Sequence, residues 1–153
     1  MIVSLDFREE PYDGPVAQRL IIAVQAEYVD RYGGPDGTPV DPAEFAPPNG
    51  LFLVGYLDAE PVAMGGLRNH AAEEMEIKRM YVVPQARGKG LSRVMLAALE
   101  DRARGLGVRR IVLETGDRQP EAVSLYESSG YERIPGFGHY ADAPLSISFE
   151  KKL

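Results

Sequence analysis

Residues 82–93 read VVPQARGKGLSR and place a predicted strand end, a glycine-bearing loop and a predicted helix start in immediate succession. Glycines let the backbone turn sharply, and the first N–H groups of a helix have no partner inside it. The helix dipole adds partial positive charge at that end. Arg87, Lys89 and Arg93 contribute full charges, so the segment is predicted to bind a diphosphate.

Two familiar phosphate-binding motifs describe this loop poorly. The P-loop requires a glycine, four residues, and then Gly-Lys followed by Ser or Thr, and the spacing here differs. The dinucleotide fingerprint requires a third glycine where Arg93 stands, in the first turn of the fold. Neither motif is therefore predicted.

The elements beside the loop predict a strand, a helix and a second strand. The helix predicted from Ser92 carries an apolar stripe with spacings of four, four and three residues, formed by Met95, Leu99, Ala103 and Leu106. Gly105 and Gly107 indicate its end. Residues 110–115 have the continuous apolar centre of a strand covered on both faces. Paired with the strand predicted at 74–83, they form a parallel pair joined by a right-handed crossover.

The rest of the chain predicts further strands and helices in mixed order. Strands are expected at residues 2–8, 51–57, 62–67, 131–134 and 145–150, and helices at residues 15–33, 42–45 and 120–128. Residues 33–50 are rich in Gly, Pro and Asp and predict a surface segment. No internal repeat is apparent, and residues 1–153 are expected to form one domain.

Composition narrows the possible function classes. The chain has 153 residues, no cysteine, two histidines and a formal charge of −6, which argues against a general nucleic-acid binder. A cationic or neutral second substrate is mildly favoured. His70 and His139 have no motif context, and no metal is expected. Without a membrane span or a signal-peptide pattern, the protein is expected to be cytoplasmic and not membrane-bound.

The loop resembles the pyrophosphate signature of the GCN5-related N-acetyltransferases (GNAT family). That signature is Arg or Gln, two residues, Gly, one residue, then Gly or Ala, and Arg87, Gly90 and Ser92 occupy its positions, with Ser as a departure. A second register, from Gln85 through Gly88 to Gly90, satisfies the pattern literally. The first register is preferred because it starts the helix at Ser92, whose side chain is then expected to cap the helix.

Two more segments extend the resemblance over about residues 74–131. EIKRMYVVP, residues 76–84, resembles the family's fourth strand, which lends backbone groups to the pantetheine arm of the coenzyme. QPEAVSLYESSGY, residues 119–131, resembles the helix that follows, with Gln119 where the family usually has Asn. The resemblance implies acetyl-CoA as co-substrate, with coenzyme contacts from Met80, Tyr81, Val82, Arg87, Gly88, Lys89, Gly90, Leu91, Ser92, Arg93 and Gln119.

The resemblance also implies a fold. It is a mixed α/β, α+β-like GNAT fold with a central, mostly antiparallel sheet of six to seven strands. One parallel pair in that sheet is splayed, and about four helices flank it.

The resemblance further implies direct acetyl transfer to a primary amine of a small molecule or peptide. Tyr126 stands where the family's general acid stands, although a packing role for its ring is the alternative. Glu76 and Glu114 face the splayed region by strand position and are candidate bases, with Glu76 preferred and simple solvation the alternative. His139 and Tyr140 are expected to be loop residues near the acceptor cleft.

Other interpretations remain open at this point. An acyl-CoA-binding or sensing module without turnover would use the same fold, and a nucleotide-phosphate binder would use the same loop. The acceptor is not identified by any motif, and a homodimer is a possible assembly.

Overall fold

The fold is one sheet of seven strands flanked by three α-helices in a computed structural model that describes residues 4–153. The strands are β1 Asp6–Glu9, β2 Gly50–Leu57, β3 Glu60–Ala71, β4 Glu74–Val82, β5 Arg110–Gly116, β6 Glu132–Ile134 and β7 Ser146–Lys152. The helices are α1 Pro15–Tyr32, α2 Leu91–Gly105 and α3 Pro120–Ser128, with short 3-10 turns at Pro42–Phe45, Pro84–Ala86 and Gly138–Tyr140.

The strand order β1-β2-β3-β4-β5-β7-β6 confirms the predicted mixed sheet. Every neighbouring pair is antiparallel except β4 and β5, which are parallel. That parallel pairing covers three positions, from Glu74 opposite Arg110 to Glu76 opposite Val112. Beyond it the two strands separate, so the splayed pair expected from the sequence is present and leaves an opening in the sheet.

Most predicted boundaries agree with the structure to within a few residues. The predicted helix turn at Pro42–Phe45 is present as a 3-10 turn, so the count is three α-helices where about four helices were expected. The strand predicted at residues 2–8 begins at Asp6, and its residues 2 and 3 lie outside the described part of the chain.

The predicted helix start at Ser92 is wrong by one residue. Gly90 is the N-cap of α2, with φ of 76°, and the helix begins at Leu91. Ser92 therefore lies inside the first turn, and the helix has no side-chain cap. A glycine takes the cap position because the chain enters α2 from the left-handed region, which an L side chain rarely adopts.

Two adjacent glycines in β3 allow close packing on both faces of the sheet. A Cβ at Gly65 would lie 2.6 Å from Leu99 of α2, and a Cβ at Gly66 would lie 2.6 Å from the ring of Phe45. Leu99 and Phe45 are themselves buried. The sheet is thus covered by α2 on one side and by the Pro42–Phe45 turn on the other.

A β-bulge interrupts β4 just before the opening. Between the pairs Gly66–Lys78 and Met64–Tyr81, β4 contains one residue more than β3. Arg79 lies at the bulge with φ of 60°. Because of the extra residue, the consecutive side chains of Lys78 and Arg79 reach the same partner, Asp36. None of the helices in residues 4–153 combines the length and apolar character needed to cross a bilayer.

Candidate functional site

A cleft of about 670 Å³ opens where β4 and β5 separate. α1, the end of β4, the glycine loop, the end of β5 and α3 surround it. Nine of the fourteen residues predicted for the site line this cleft: Met80, Tyr81, Val82, Arg87, Gly88, Ser92, Glu114, Gln119 and Tyr126. The other five, Glu76, Lys89, Gly90, Leu91 and Arg93, do not line it.

The glycine loop has the geometry of an anion site at one end of the cleft. Gly88 and Gly90 have φ of 80° and 76°, and no atom lies within 4 Å of a Cβ built on either residue. Leu91 buries its side chain in the core, so only its backbone faces outward at the start of α2. Open space beside uncapped helical N–H groups fits a phosphate group.

The basic residues of the loop differ in their surroundings. Lys89 is exposed. The guanidinium of Arg93 donates to the hydroxyls of Ser128 at 2.6 Å and Ser129 at 3.3 Å, and so ties the first turn of α2 to the end of α3. Arg93 therefore has a structural role in this conformation.

Arg87 is held by α1 and by the end of β4. Its Nε donates to the carbonyl oxygen of Val82 at 2.9 Å, and its Nη2 donates to Glu27 at 2.8 Å. Burial opposes ionisation of Glu27, but the hydrogen bonds and charges of Arg87 and Arg31 outweigh it and lower the pKa of that carboxyl. An anion on the loop must therefore compete with Glu27 for Arg87.

The N–H group of Val82, at the end of β4, faces the open side of the strand. The N–H of Val83 donates to Val62 of β3 at 2.9 Å. Backbone groups alternate between the two sides of a strand, so the N–H and C=O of Val82 point away from β3. This places an N–H donor beside the cleft at Val82, where the sequence predicted one.

Tyr126 lies on α3 with its side chain buried at the cleft wall. Its ring packs against Tyr131 and Phe149, with centroid distances of 5.6 and 5.9 Å. Burial, with a smaller contribution from Tyr28, raises the pKa of the Tyr126 phenol. The hydroxyl therefore stays protonated over the neutral range and remains a donor. Packing and donation are compatible roles for this residue.

Glu76 and Glu114 occupy different surroundings. Glu76 accepts a hydrogen bond from Arg68 Nε at 2.9 Å and does not line the cleft. Glu114 lines the cleft, with its Oε1 3.7 Å from Lys78 Nζ. Its Oε2 is buried and has no hydrogen-bond partner among residues 4–153.

The surroundings of Glu114 favour the protonated form of its carboxyl more than the surroundings of an ordinary, exposed glutamate do. Burial raises the pKa of the Glu114 carboxyl; Lys78 opposes this, while Glu76 and Asp36 add to it. A raised pKa makes this carboxylate a stronger base than an ordinary glutamate, and its free oxygen in the cleft can accept a proton.

A second pocket of about 210 Å³ lies beside the cleft. Its walls come from the loop after α1, the end of β3 and the β6–β7 connection, and are formed by Thr38, Glu44, Arg68, Asn69, His70, Glu76, Glu114, Phe137, Gly138 and His139. Among residues 4–153, Glu114 is the one residue that lines both spaces. It therefore stands at the junction of the cleft and the second pocket.

The segment containing His139 and Tyr140, which was expected to be a loop near the acceptor cleft, contributes residues to the walls of both the cleft and the second pocket. His139 lines the second pocket, whereas Tyr140 lines the cleft. The Tyr140 hydroxyl accepts a hydrogen bond from the N–H of Gly37 at 2.7 Å. The β6–β7 connection is thereby joined to the loop after α1.

Sequence reasoning missed a buried charge cluster of Asp36, Lys78 and Arg79. Lys78 Nζ lies 3.2 Å from Asp36 Oδ2, and Arg79 contacts the same oxygen. Thr38 donates its N–H and hydroxyl to the other oxygen, at 2.9 and 2.6 Å. Burial opposes ionisation, but Lys78, Thr38 and Arg79 together hold the pKa of Asp36 well below its usual range. The available signal was two successive cations in β4, between Ile77 and Met80.

A second missed contact concerns Gln119, which stands at the N-cap of α3. Its side-chain oxygen accepts a hydrogen bond from the hydroxyl of Tyr32 at 3.2 Å. Gln119 does not cap α3 with its side chain. The end of α1 is thus linked to the start of α3 across the cleft.

Comparisons with known proteins agree with this geometry. The sequence matches the Acetyltransferase (GNAT) family over residues 21–131. It is 34% identical to an IAA acetyltransferase of Azospirillum brasilense over 147 residues, covering 95% of each chain. It is 32% identical to the uncharacterized N-acetyltransferase YjgM of Escherichia coli over 131 residues, covering 80% of this chain and 78% of that one.

Solved structures show the same architecture. A protein of Klebsiella pneumoniae superposes with a TM-score of 0.82 at 29% identity, covering 97% of both chains. A GNAT acetyltransferase of Elizabethkingia anophelis with acetyl-CoA bound superposes with a TM-score of 0.72 at 15% identity, over 98% and 99% of the chains. Together with the sequence match over residues 21–131, these similarities show that the chain belongs to the GNAT family of acetyltransferases.

Proposed function

We propose that the protein transfers the acetyl group of acetyl-CoA directly to a primary amine. The observation that carries this proposal is the position of Glu114, which lines both the cleft and the second pocket with a free, buried carboxylate oxygen. A proton acceptor at that junction suits a reaction in which two substrates meet there. Family membership supports acetyl-CoA as the donor.

The coenzyme is proposed to lie along the cleft. Its diphosphate binds at the loop around Gly88 and Gly90, and its pantetheine arm runs past the open backbone side of β4. The N–H of Val82 then donates to the thioester carbonyl oxygen, which gains negative charge as the amine attacks. Arg87 contacts the coenzyme after it leaves Glu27.

The chemistry requires two protons to leave the ammonium group of the acceptor and one to reach the sulfur. The amine nitrogen forms a bond to the acetyl carbon, and the carbon–sulfur bond breaks as the tetrahedral intermediate collapses. Glu114 takes the first of these protons, so that the neutral amine can attack; the nitrogen of the tetrahedral intermediate gives up the second to water. Tyr126 donates a proton to the departing thiolate and regains one from solvent. Glu114 is preferred over Glu76 because Glu76 is paired with Arg68 and does not line the cleft.

The direct test is release of free CoA thiol from acetyl-CoA in the presence of a panel of amines. Parallel titrations with CoA and with ATP establish which ligand the cleft binds. Amine-dependent thiol release with CoA binding supports the proposal. CoA binding without turnover for any amine would favour an acyl-CoA-binding module, and equal affinity for ATP would favour a nucleotide-phosphate site.

Gly90→Ala is expected to weaken CoA binding by about tenfold or more, because a methyl group would fill the space beside the proposed diphosphate and strain the loop. The measurement is the CoA dissociation constant from calorimetry. Gly107→Ala is the matched control, since Gly107 has φ of 80° and also has open space around it, but lies at the far end of α2. Equal CoA affinity in the two variants would contradict the diphosphate site.

Tyr126→Phe is expected to lower kcat by about 10²-fold, because the change removes the proton donor and leaves the ring in place. The packing against Tyr131 and Phe149 should survive, so the melting temperature should change little. Steady-state kinetics and thermal unfolding measure the two effects. Tyr131→Phe serves as the comparison, because its hydroxyl donates to buried Glu100 at 2.8 Å, so it should lower stability more than kcat. Unchanged kcat in Tyr126→Phe would assign Tyr126 to packing alone.

A further inference from the structure

The second pocket carries information about the acceptor, on the condition that the proposed acetyl transfer is correct. It meets the cleft at Glu114 and has a volume of about 210 Å³. Sites for drug-sized ligands usually measure about 300–1,000 Å³. An acceptor enclosed here is therefore a small molecule.

The cations around the pocket already have partners. Arg68, with 12% of its side chain exposed, donates to Glu76 from Nε at 2.9 Å and to Glu44 from Nη1 at 3.2 Å. Lys78 and Arg79 are buried and both contact Asp36. Three cations thus face four carboxylates once Glu114, beside Lys78, is counted, and no cation in this group is left to receive the carboxylate of a ligand.

Glu114 is paired more weakly than the other three carboxylates, with its Oε1 3.7 Å from Lys78 Nζ. Its side chain is only 9% exposed, and its Oε2 has no hydrogen-bond partner in the described chain. Ser148, its neighbour across the β5–β7 pair, also has a buried hydroxyl without a partner. A buried carboxylate oxygen is costly unless a donor reaches it, so a ligand that brings a donor stabilises the site.

Two aromatic rings also line the pocket. The rings of His70 and Phe137 lie edge to face, with centroids 5.2 Å apart, and both residues line the pocket. Aromatic walls favour an apolar or aromatic body, and a ring held there gains offset or edge-to-face contacts. The pocket lining thus includes both an ammonium partner, Glu114, and an aromatic surface.

We propose that the acceptor is a small primary amine with an apolar, preferably aromatic, body and no carboxylate next to the amine. Its ammonium group pairs with Glu114, and its body lies against Phe137 and His70. An α-amino acid binds poorly because its carboxylate enters a pocket whose only guanidinium, that of Arg68, is shared by Glu44 and Glu76.

The test uses two acceptors that differ only in the carboxylate, phenethylamine and phenylalanine, with putrescine as a purely cationic third. Thiol release with saturating acetyl-CoA gives kcat/KM for each. Phenethylamine is expected to exceed phenylalanine by at least about tenfold, the effect of one poorly compensated buried charge. A kcat/KM for phenylalanine or putrescine equal to that for phenethylamine would overturn the proposal.

Two variants test the walls separately. Phe137→Ala is expected to raise KM for phenethylamine several-fold without changing the CoA dissociation constant; an unchanged KM would contradict the aromatic wall. Glu44→Gln keeps a side chain that can form the capping box of the Pro42–Phe45 turn. The change removes one of the two negative charges that are paired with the Arg68 guanidinium. The ratio of kcat/KM for phenethylamine to kcat/KM for phenylalanine is therefore expected to fall in this variant. An unchanged ratio would overturn the role given to the paired guanidinium of Arg68.

Failure of this inference is distinguishable from failure of the proposed function. If amino acids are acetylated, the enzyme activity stands and the acceptor class is wrong. If CoA binds but no amine in the panel promotes thiol release, the acetyl transfer itself is wrong, and the acceptor class is overturned with it.

Discussion

Replacing Glu114 with glutamine is expected to lower kcat/KM by about 10²- to 10⁴-fold and to remove the acidic limb of its pH profile. Glutamine keeps the size of the side chain and can still donate or accept hydrogen bonds, but it cannot take a proton at neutral pH. The loss therefore reports proton transfer rather than packing. The measurement is kcat/KM at low acceptor concentration from about pH 5 to pH 10.

The sign of the pH dependence follows from burial. Burial raises the pKa of the Glu114 carboxyl, and the group must be ionised to accept a proton. The rate should therefore rise with pH through a value above the roughly 4.3 of an ordinary glutamate.

Glu76→Gln separates the two carboxylates. Because Glu76 is paired with Arg68, its replacement should lower stability while leaving the acidic limb in place. An acidic limb that vanishes in Glu76→Gln and persists in Glu114→Gln would reverse the two roles. A limb that persists in both variants would mean that the proton leaves through water.

The parts of the fold that could be predicted are those that depend on sequence patterns among neighbouring residues. The apolar stripe of α2 and the strand patterns at residues 51–57 and 62–67 act over a few residues, and α2, β2 and β3 form at these places, with β3 longer than expected. The glycine loop was recognisable for the same reason, since its residues are contiguous. Its helix start was misplaced by one residue because a left-handed glycine, and not Ser92, takes the cap position.

The choice between Glu76 and Glu114 was not predictable from strand position. Both residues were expected to face the splayed region, and both do line the second pocket. What distinguishes them is Arg68, which lies eight residues before Glu76 along the chain and opposite it in the β3–β4 pair. Cross-strand partners depend on register, and register is set by turns and bulges that a single sequence specifies weakly.

The charge cluster was hidden because its members are far apart in the sequence. Asp36 lies in a loop rich in glycine and proline, which predicts exposure, while Lys78 and Arg79 lie about forty residues later in β4. Only the bulge at Arg79 turns both cations toward the loop. The loop that was expected to be a plain surface segment is in fact anchored over the cleft.

Asp36→Asn is expected to destabilise the protein by about 3–5 kcal/mol at pH 7, because it leaves Lys78 and Arg79 buried without their common counter-charge. Urea unfolding followed by circular dichroism measures the change. Asp41→Asn is the matched control in the same loop. Asp41 caps the Pro42–Phe45 turn by accepting the N–H of Ala43 at 3.0 Å, and asparagine caps about as well, so that variant should lose less than about 0.5 kcal/mol.

The pH dependence of the Asp36→Asn effect gives an independent check. The pKa of Asp36 is lowered in the folded protein, so its ionisation contributes stability above the unfolded value of about 3.9. That contribution is lost as the pH falls from about 4 toward the folded pKa. The stability difference between wild type and Asp36→Asn should therefore be constant near neutrality and shrink below about pH 4. A difference under about 1 kcal/mol at pH 7 would mean that the two cations find another partner, and Glu114, 3.7 Å from Lys78, is the carboxylate placed to provide it.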